Sequence, residues 1–104
     1  MQRNAFIMQL KKGNEEEYRQ RHERIWPELR DLLVSTGISD YSIYLDEASG
    51  KLFATMKFAD EQALARLPQN AVMQRWWSYM EDIMETWPDL SPVAVPLKEV
   101  FYLP

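Results

Sequence analysis

The chain offers one side chain that titrates near neutral pH, His22, and it sits four residues after Tyr18. Helical spacing puts the two on one face with their Cβ atoms about 5–6 Å apart. An imidazole with a pKa near 6.5 exists in acid and base forms at neutral pH, as proton transfer in both directions requires. Alone, a single histidine on an inward stripe is more often a structural residue, so its neighbourhood has to carry the argument. Trp76 and Trp77 are adjacent, and on a helix adjacent side chains point about 100° apart. Both cannot sit at the centre of one small helix–sheet contact, so one of them should border an edge or a cavity. With Tyr41 on a nearby strand, these residues could line a cleft of aromatic walls, phenol hydroxyls and one imidazole. Such a cleft suits a free sugar, whose C–H face packs on rings while its hydroxyls meet polar groups. The reaction within reach is anomer exchange: a proton leaves the anomeric hydroxyl, another reaches the ring oxygen, and reclosure on the other face of the aldehyde reverses both. One positioned acid–base group contributes about 10²–10⁴-fold, enough for a reaction that already proceeds unaided in water.

Other chemistries fit less well. With no cysteine, a disulfide framework, a thiolate metal site and a cysteine nucleophile are all excluded. One histidine and scattered carboxylates offer no metal-ligand spacing. There is no Gly-x-Ser-x-Gly elbow, and the apolar stripes contain no pair of inward acids for glycoside hydrolysis. Neither a cofactor nor a metal is expected. Sixteen acidic against twelve basic residues give a net charge of -4 with no basic stripe, which argues against nucleic acid. The apolar run near the start, residues 5–8, is too short for a secretory or membrane segment, and a cytoplasmic location is the default expectation.

The elements that must position the cleft follow from pattern. Residues 5–10 read as a strand. Asn14 is suited to cap a helix, with Glu17 completing a capping box. Tyr18, His22, Ile25, Trp26, Leu29, Leu32 and Leu33 form its inward stripe, and Gly37 ends it. Pro27 interrupts this helix, predicting a kink or two abutting helices. Residues 41–46 and 51–58 read as strands joined by a hairpin at 47–50. Asp60 is placed to cap a short helix through Leu67, stopped by Pro68. Asn70 is placed to cap a longer one whose apolar stripe is Met73, Trp76, Trp77, Met80, Ile83 and Met84. A rigid loop at 87–92 precedes a last strand at 95–103, and whether Trp87 and Leu90 edge the cleft is left open by the sequence.

The order β-α-β-β-α-β predicts an α+β, ferredoxin-like fold for residues 1–104 as one domain: a four-stranded antiparallel sheet with helices on one face. Ala5 and Ile7 oppose Phe6, Met8 and Leu10, while Leu97, Phe101 and Leu103 oppose Val100 and Tyr102. Both faces of the sheet therefore carry apolar side chains, and helices can cover only one. That predicts a two-fold homodimer packed through the sheets.

Arg21-His22 with Ile25-Trp26-Pro27-Glu28-Leu29, the run Tyr41-Ser42-Ile43-Tyr44-Leu45-Asp46, Gln74-Arg75-Trp76-Trp77 and the terminal Glu99-Val100-Phe101-Tyr102-Leu103-Pro104 resemble the L-rhamnose mutarotase family across essentially the whole chain. The resemblance implies a dimeric α/β-barrel of two ferredoxin-like subunits, free of cofactor, that equilibrates the α and β anomers of L-rhamnose or a related 6-deoxyhexose. It also implies that His22 is the proton donor and that Tyr18, Tyr41, Trp76 and Trp77 bind the sugar. Two other readings are a cofactor-free monooxygenase of the same barrel class and a ligand-binding regulatory module. Oxygen uptake with a quinol would mark the first. The second would normally come with a DNA-binding segment.

Overall fold

The structure, a computed structural model, describes residues Met1–Pro104. Its elements are β1 (Gln2–Gln9), α1 (Glu15–Glu23), α2 (Pro27–Ser35), β2 (Ile38–Asp46), β3 (Lys51–Phe58), α3 (Glu61–Arg66), a 3₁₀ turn (Leu67–Gln69), α4 (Ala71–Met80) and β4 (Ala94–Leu97). The strands form one antiparallel sheet in the order β2-β3-β1-β4, the expected ferredoxin-like arrangement. Strand β3 shows why the helices lie on one side. Leu52, Ala54, Met56 and Phe58 are buried, while the residues alternating with them are half-buried or exposed. Met8, Leu52 and Ala54 meet Leu29 of α2 and Trp76 and Met80 of α4 in the core.

Pro27 divides the predicted first helix in two. It occupies the first turn of α2, where a missing N–H costs nothing, and Trp26 before it is extended, with its carbonyl accepting from Leu29 and Arg30 at 3.0 Å each. Gly37 then ends α2 with φ +93°. Asp60 caps α3 by accepting from the backbone N–H groups of Gln62 and Ala63, and Asn70 caps α4 by accepting from Val72.

Several expectations need correction. Asn14 makes no capping hydrogen bond; its amide instead donates to the carbonyls of Lys11 and Lys12, tightening the turn before α1, so there is no capping box with Glu17. The first strand begins at Gln2 rather than Ala5. Helix α4 ends at Met80, and Ile83 and Met84 reach the core through a turn and a bridge from Met84 to Leu10. The last strand stops at Leu97, well short of residue 103. Pro96 has no N–H for the ladder, and beyond it Arg3 Nη2 draws Glu99 aside with 3.0 Å bonds to both carboxylate oxygens.

The hairpin at residues 47–50 closes on Gly50, which is buried at φ +74°. A Cβ there would come within 2.9 Å of Gln9 Nε2 and 3.0 Å of the Leu10 carbonyl oxygen, and the Gly50 carbonyl accepts from Leu10 N–H. Gly50→Ala is therefore expected to destabilise the fold by about 1–3 kcal/mol, from strain at positive φ and from backbone crowding. Urea unfolding checks this; an unchanged midpoint would show that the β1–β3 edge yields freely.

Candidate active site

The five residues singled out from the sequence, Tyr18, His22, Tyr41, Trp76 and Trp77, line one cleft of about 890 Å³ between the helices and the helix-facing side of the sheet. Its remaining wall is largely apolar, from residues such as Ile25, Leu33, Ile43 and Met73, but Glu15, Glu16, Arg19, Glu23 and Glu47 also line it, so the cleft does hold carboxylates that the apolar stripes did not announce.

Helix α1 supplies Tyr18 and His22 from consecutive turns, with ring centroids 4.3 Å apart and planes tilted by 33°. His22 Nδ1 lies 3.0 Å from the Tyr18 carbonyl oxygen. A carbonyl only accepts, so Nδ1 carries the hydrogen and the neutral ring keeps its lone pair on Nε2. Burial lowers the His22 pKa from its ordinary value, and the hydrogen bond to Tyr18 opposes that shift without overcoming it. The ring is therefore mostly neutral at pH 7, a base at Nε2.

Strand β2 supplies Tyr41 by means of a bulge. Ser39 pairs with Lys57, yet Ser42 pairs with Thr55, so one extra residue lies between them, and Asp40 takes a φ of +47° there. The extra residue reverses the alternation. Ile38 and Ile43 can then both face the helices, and Tyr41, two residues before Ile43, falls on the cleft side. An unbroken register from Ile38 would aim Tyr41 away. Over the whole residue Tyr41 is 37 % exposed, but its hydroxyl end is enclosed and burial pushes its pKa up to about 12. Tyr18 is raised further, by burial first and by its neighbour Tyr41 second. Both phenols therefore keep their protons at neutral pH and present O–H donors.

Helix α4 separates its two tryptophans as the sequence requires. Trp76 is buried and meets His22 in a T-shaped contact, centroids 5.5 Å apart at 88°. Trp77 is half-buried and faces the cleft. Trp26 and Tyr79 back Trp76, at 5.1 and 5.5 Å between centroids. Trp26 was visible in the sequence only as a member of the first stripe, and Tyr79 lies outside both predicted stripes. The 87–92 loop reaches the cleft through Ser91 and Pro92; Trp87 is exposed and neither it nor Leu90 lines the space. No three His, Cys, Asp or Glu side chains gather in a way that could hold a metal ion. A second hollow, of about 510 Å³ beside Arg3 and Lys57, is lined by ion pairs already made, Arg3–Glu99 and Lys57–Asp40.

The family model for L-rhamnose mutarotase matches residues 3–103. The chain belongs to the L-rhamnose mutarotase family. It is 56 % identical to the L-rhamnose mutarotase of Sinorhizobium fredii and 52 % identical to that of Bacteroides thetaiotaomicron, in each case over 99 % of both chains. The crystal structure of an L-rhamnose mutarotase from Formosa agariphila superposes with a TM-score of 0.93 at 44 % identity, covering all of both chains. Agreement at that level makes the arrangement that places α1 and α4 over the sheet a property shared with that mutarotase.

His22 is the only histidine, so its imidazole signals in a proton–nitrogen NMR spectrum need no assignment. Their titration is expected to have a midpoint below about 6.5, the value of a free imidazole. The unfolded chain then binds its proton at higher pH than the folded one. This site has no effect on stability well above pH 6.5 and weakens the fold as pH falls below it. A midpoint at or above that of free imidazole would show the ring to be solvated.

Proposed function

We propose that this chain equilibrates the α and β anomers of L-rhamnose, with His22 carrying the proton and Tyr18, Tyr41, Trp76 and Trp77 holding the sugar. The observation that carries the reading is the His22 tautomer: the Tyr18 carbonyl occupies Nδ1 and leaves Nε2 as a free base inside an aromatic cleft. The family membership supports the substrate.

In the ring-closed sugar, Nε2 takes the proton of the anomeric hydroxyl, and the C1–O5 bond breaks as the C1–O1 pair becomes a carbonyl. The imidazolium so formed gives its proton to O5. Ring opening thus moves one proton from O1 to O5 and restores neutral His22. Rotation about C1–C2 turns the other face of the aldehyde to O5, and closure repeats the transfers in reverse. The role of proton donor that the family resemblance implies for His22 fits this order of steps, in which it donates at O5 after accepting at O1. The phenols of Tyr18 and Tyr41, protonated at neutral pH and with pKa values raised further by burial, are suited to donate hydrogen bonds to oxygens that gain charge during opening. Trp77 and the aliphatic wall offer surface to the C–H face and the C6 methyl of a 6-deoxyhexose.

Polarimetry of freshly dissolved L-rhamnose tests the reading. Wild type should accelerate the approach to equilibrium, and His22→Ala should lose about 10²–10⁴-fold of that acceleration while staying folded. A folded His22→Ala variant with the wild-type rate would remove the imidazole from the mechanism.

The partner we propose is a second copy of the chain. Across the sheet face away from the helices, Tyr44, Phe53, Ile7 and Val95 stand in register on all four strands, and Ala5 and Leu97 form part of the next row. Tyr44 is 65 % and Val95 56 % exposed. An exposed apolar row that spans the sheet calls for cover, and the same face on a two-fold-related copy supplies a self-complementary one. Light scattering behind size exclusion should give twice the mass of one chain, and Tyr44→Lys combined with Val95→Lys should halve it. A monomeric wild type at micromolar concentration would refute the pairing.

A further inference from the structure

Helix α1 carries both Tyr18 and His22, yet it has no buried residue. It is nine residues long, it opens on Glu15, Glu16 and Glu17, and the chain leaves helical geometry directly after it. A polar helix of that length is not stable by itself and must be held by tertiary contacts. Its two inward rings form one attachment, through the edge contact of His22 with Trp76. The other attachment is made by a residue that does not line the cleft.

Arg21 has only 11 % of its side chain exposed, although its partners lie at the surface. Its Nη1 donates to the Tyr79 carbonyl at 2.8 Å and to Asp82 Oδ1 at 2.9 Å, and its Nη2 donates to Asp82 Oδ2 at 3.0 Å. Nε donates to Glu17 at 2.7 Å, one turn back on α1. The guanidinium also lies over the Tyr79 ring, 4.5 Å from its centroid. Four of the five N–H donors are therefore engaged, joining α1 to the last turn of α4 and the chain that follows it. Tyr79 in turn packs on Trp76, which meets His22. The contacts make a closed circuit: His22 to Trp76, Trp76 to Tyr79, Tyr79 to Arg21, and back along one peptide bond.

We propose that Arg21 is the positioning residue of this site: its guanidinium clamps α1 to the C-terminal end of α4 and so holds the His22 ring at the depth and angle its proton transfer requires. The inference rests on the reading of His22 as the proton carrier. It accounts for the choice of arginine, since only a planar fork can grip a carboxylate with two bonds, reach a carbonyl and stack on a ring at once. A lysine could keep one of these contacts. The rings against the imidazole are Tyr18 from its own helix and Trp76 from α4; the other titratable groups lining the same cleft are Tyr41 from β2, Glu15, Glu16, Arg19 and Glu23 from α1 and Glu47 from the hairpin, and burial is the first cause of the lowered His22 pKa. The His22 midpoint therefore reports how deeply the ring is held.

The test compares Arg21→Ala, Arg21→Lys and Asp82→Ala with wild type, in polarimetry of L-rhamnose and in NMR titration of His22. Arg21→Ala should lower kcat by about tenfold to a hundredfold, the range for small misplacements of a reacting group. It should also raise the His22 midpoint toward that of free imidazole as water reaches the ring. Arg21→Lys should recover part of both, and Asp82→Ala should move both in the same direction by less. Should Arg21→Ala not fold, the other two variants decide in the same way. A folded variant with unchanged kcat overturns the proposal. So does lower activity with an unmoved His22 midpoint, because that pattern means general bracing rather than placement of the ring. Full activity in His22→Ala would instead strike the parent reading, so the two failures are separable.

Discussion

A single 3.0 Å hydrogen bond, from His22 Nδ1 to the carbonyl of Tyr18, decides what the cleft can do. It fixes the tautomer without adding a charge, since its acceptor is a backbone carbonyl rather than a carboxylate. A carboxylate in that place would raise the pKa of the ring and hold it as imidazolium. With a neutral acceptor, burial prevails and the pKa falls, leaving a base at Nε2. The same burial raises the pKa values of the Tyr18 and Tyr41 phenols, which are protonated at neutral pH in any case. Removal of these groups from water thus reinforces the states they favour at neutral pH, a neutral imidazole and two O–H donors, in a cleft that Glu15, Glu16, Glu23 and Glu47 also line.

That burial comes from the arrangement of a short polar helix over a larger apolar surface. Trp76 and its aromatic neighbours Trp26 and Tyr79 form a wall of edge-on rings behind the imidazole. Pro27 lets α1 leave the line of α2, so that the stripe of α2 packs through Leu29 while α1 reaches over the cleft. The division of labour is clear in the burial pattern: α2 and α4 contribute buried residues to the core, and α1 contributes none. A helix so placed is free to carry chemistry but must borrow its rigidity, and the side chain of Arg21 is where that rigidity enters the structure.

The β2 bulge is the corresponding device on the sheet. A regular strand cannot bury both Ile38 and Ile43, which lie an odd number of residues apart, on the same face. The extra residue at Asp40 removes the conflict and brings Tyr41 to the cleft side. On the far face of the sheet one apolar row, Tyr44, Phe53, Ile7 and Val95, runs unbroken from β2 to β4. The irregular part of the sheet therefore serves the cleft, and the unbroken row serves the surface proposed to meet a second copy.

Much of this was legible from residue order alone, because the signals are local. The period of two in residues 51–58, the Asp60 and Asn70 caps and the breaks at Pro27 and Gly37 depend on neighbours a few positions away, and each stands where the pattern puts it. Chemical type likewise pointed to His22 with Tyr18, Tyr41, Trp76 and Trp77, and these five line one cleft. What the chain could not disclose were relations between distant segments. The end of β4 depends on Pro96 together with Arg3, nearly a hundred residues from Glu99. One local signal also misled: Asn14 looks like a cap by type, but the carbonyls of Lys11 and Lys12, three and two residues before it, claim its amide. The burial of the His22 ring, the division of Trp76 from Trp77 and the grip of Arg21 on Asp82 were decided only by tertiary structure. Each is a matter of distance and burial between groups that one-dimensional order leaves unrelated, whereas caps, breaks and alternation are written in the near neighbours of each residue.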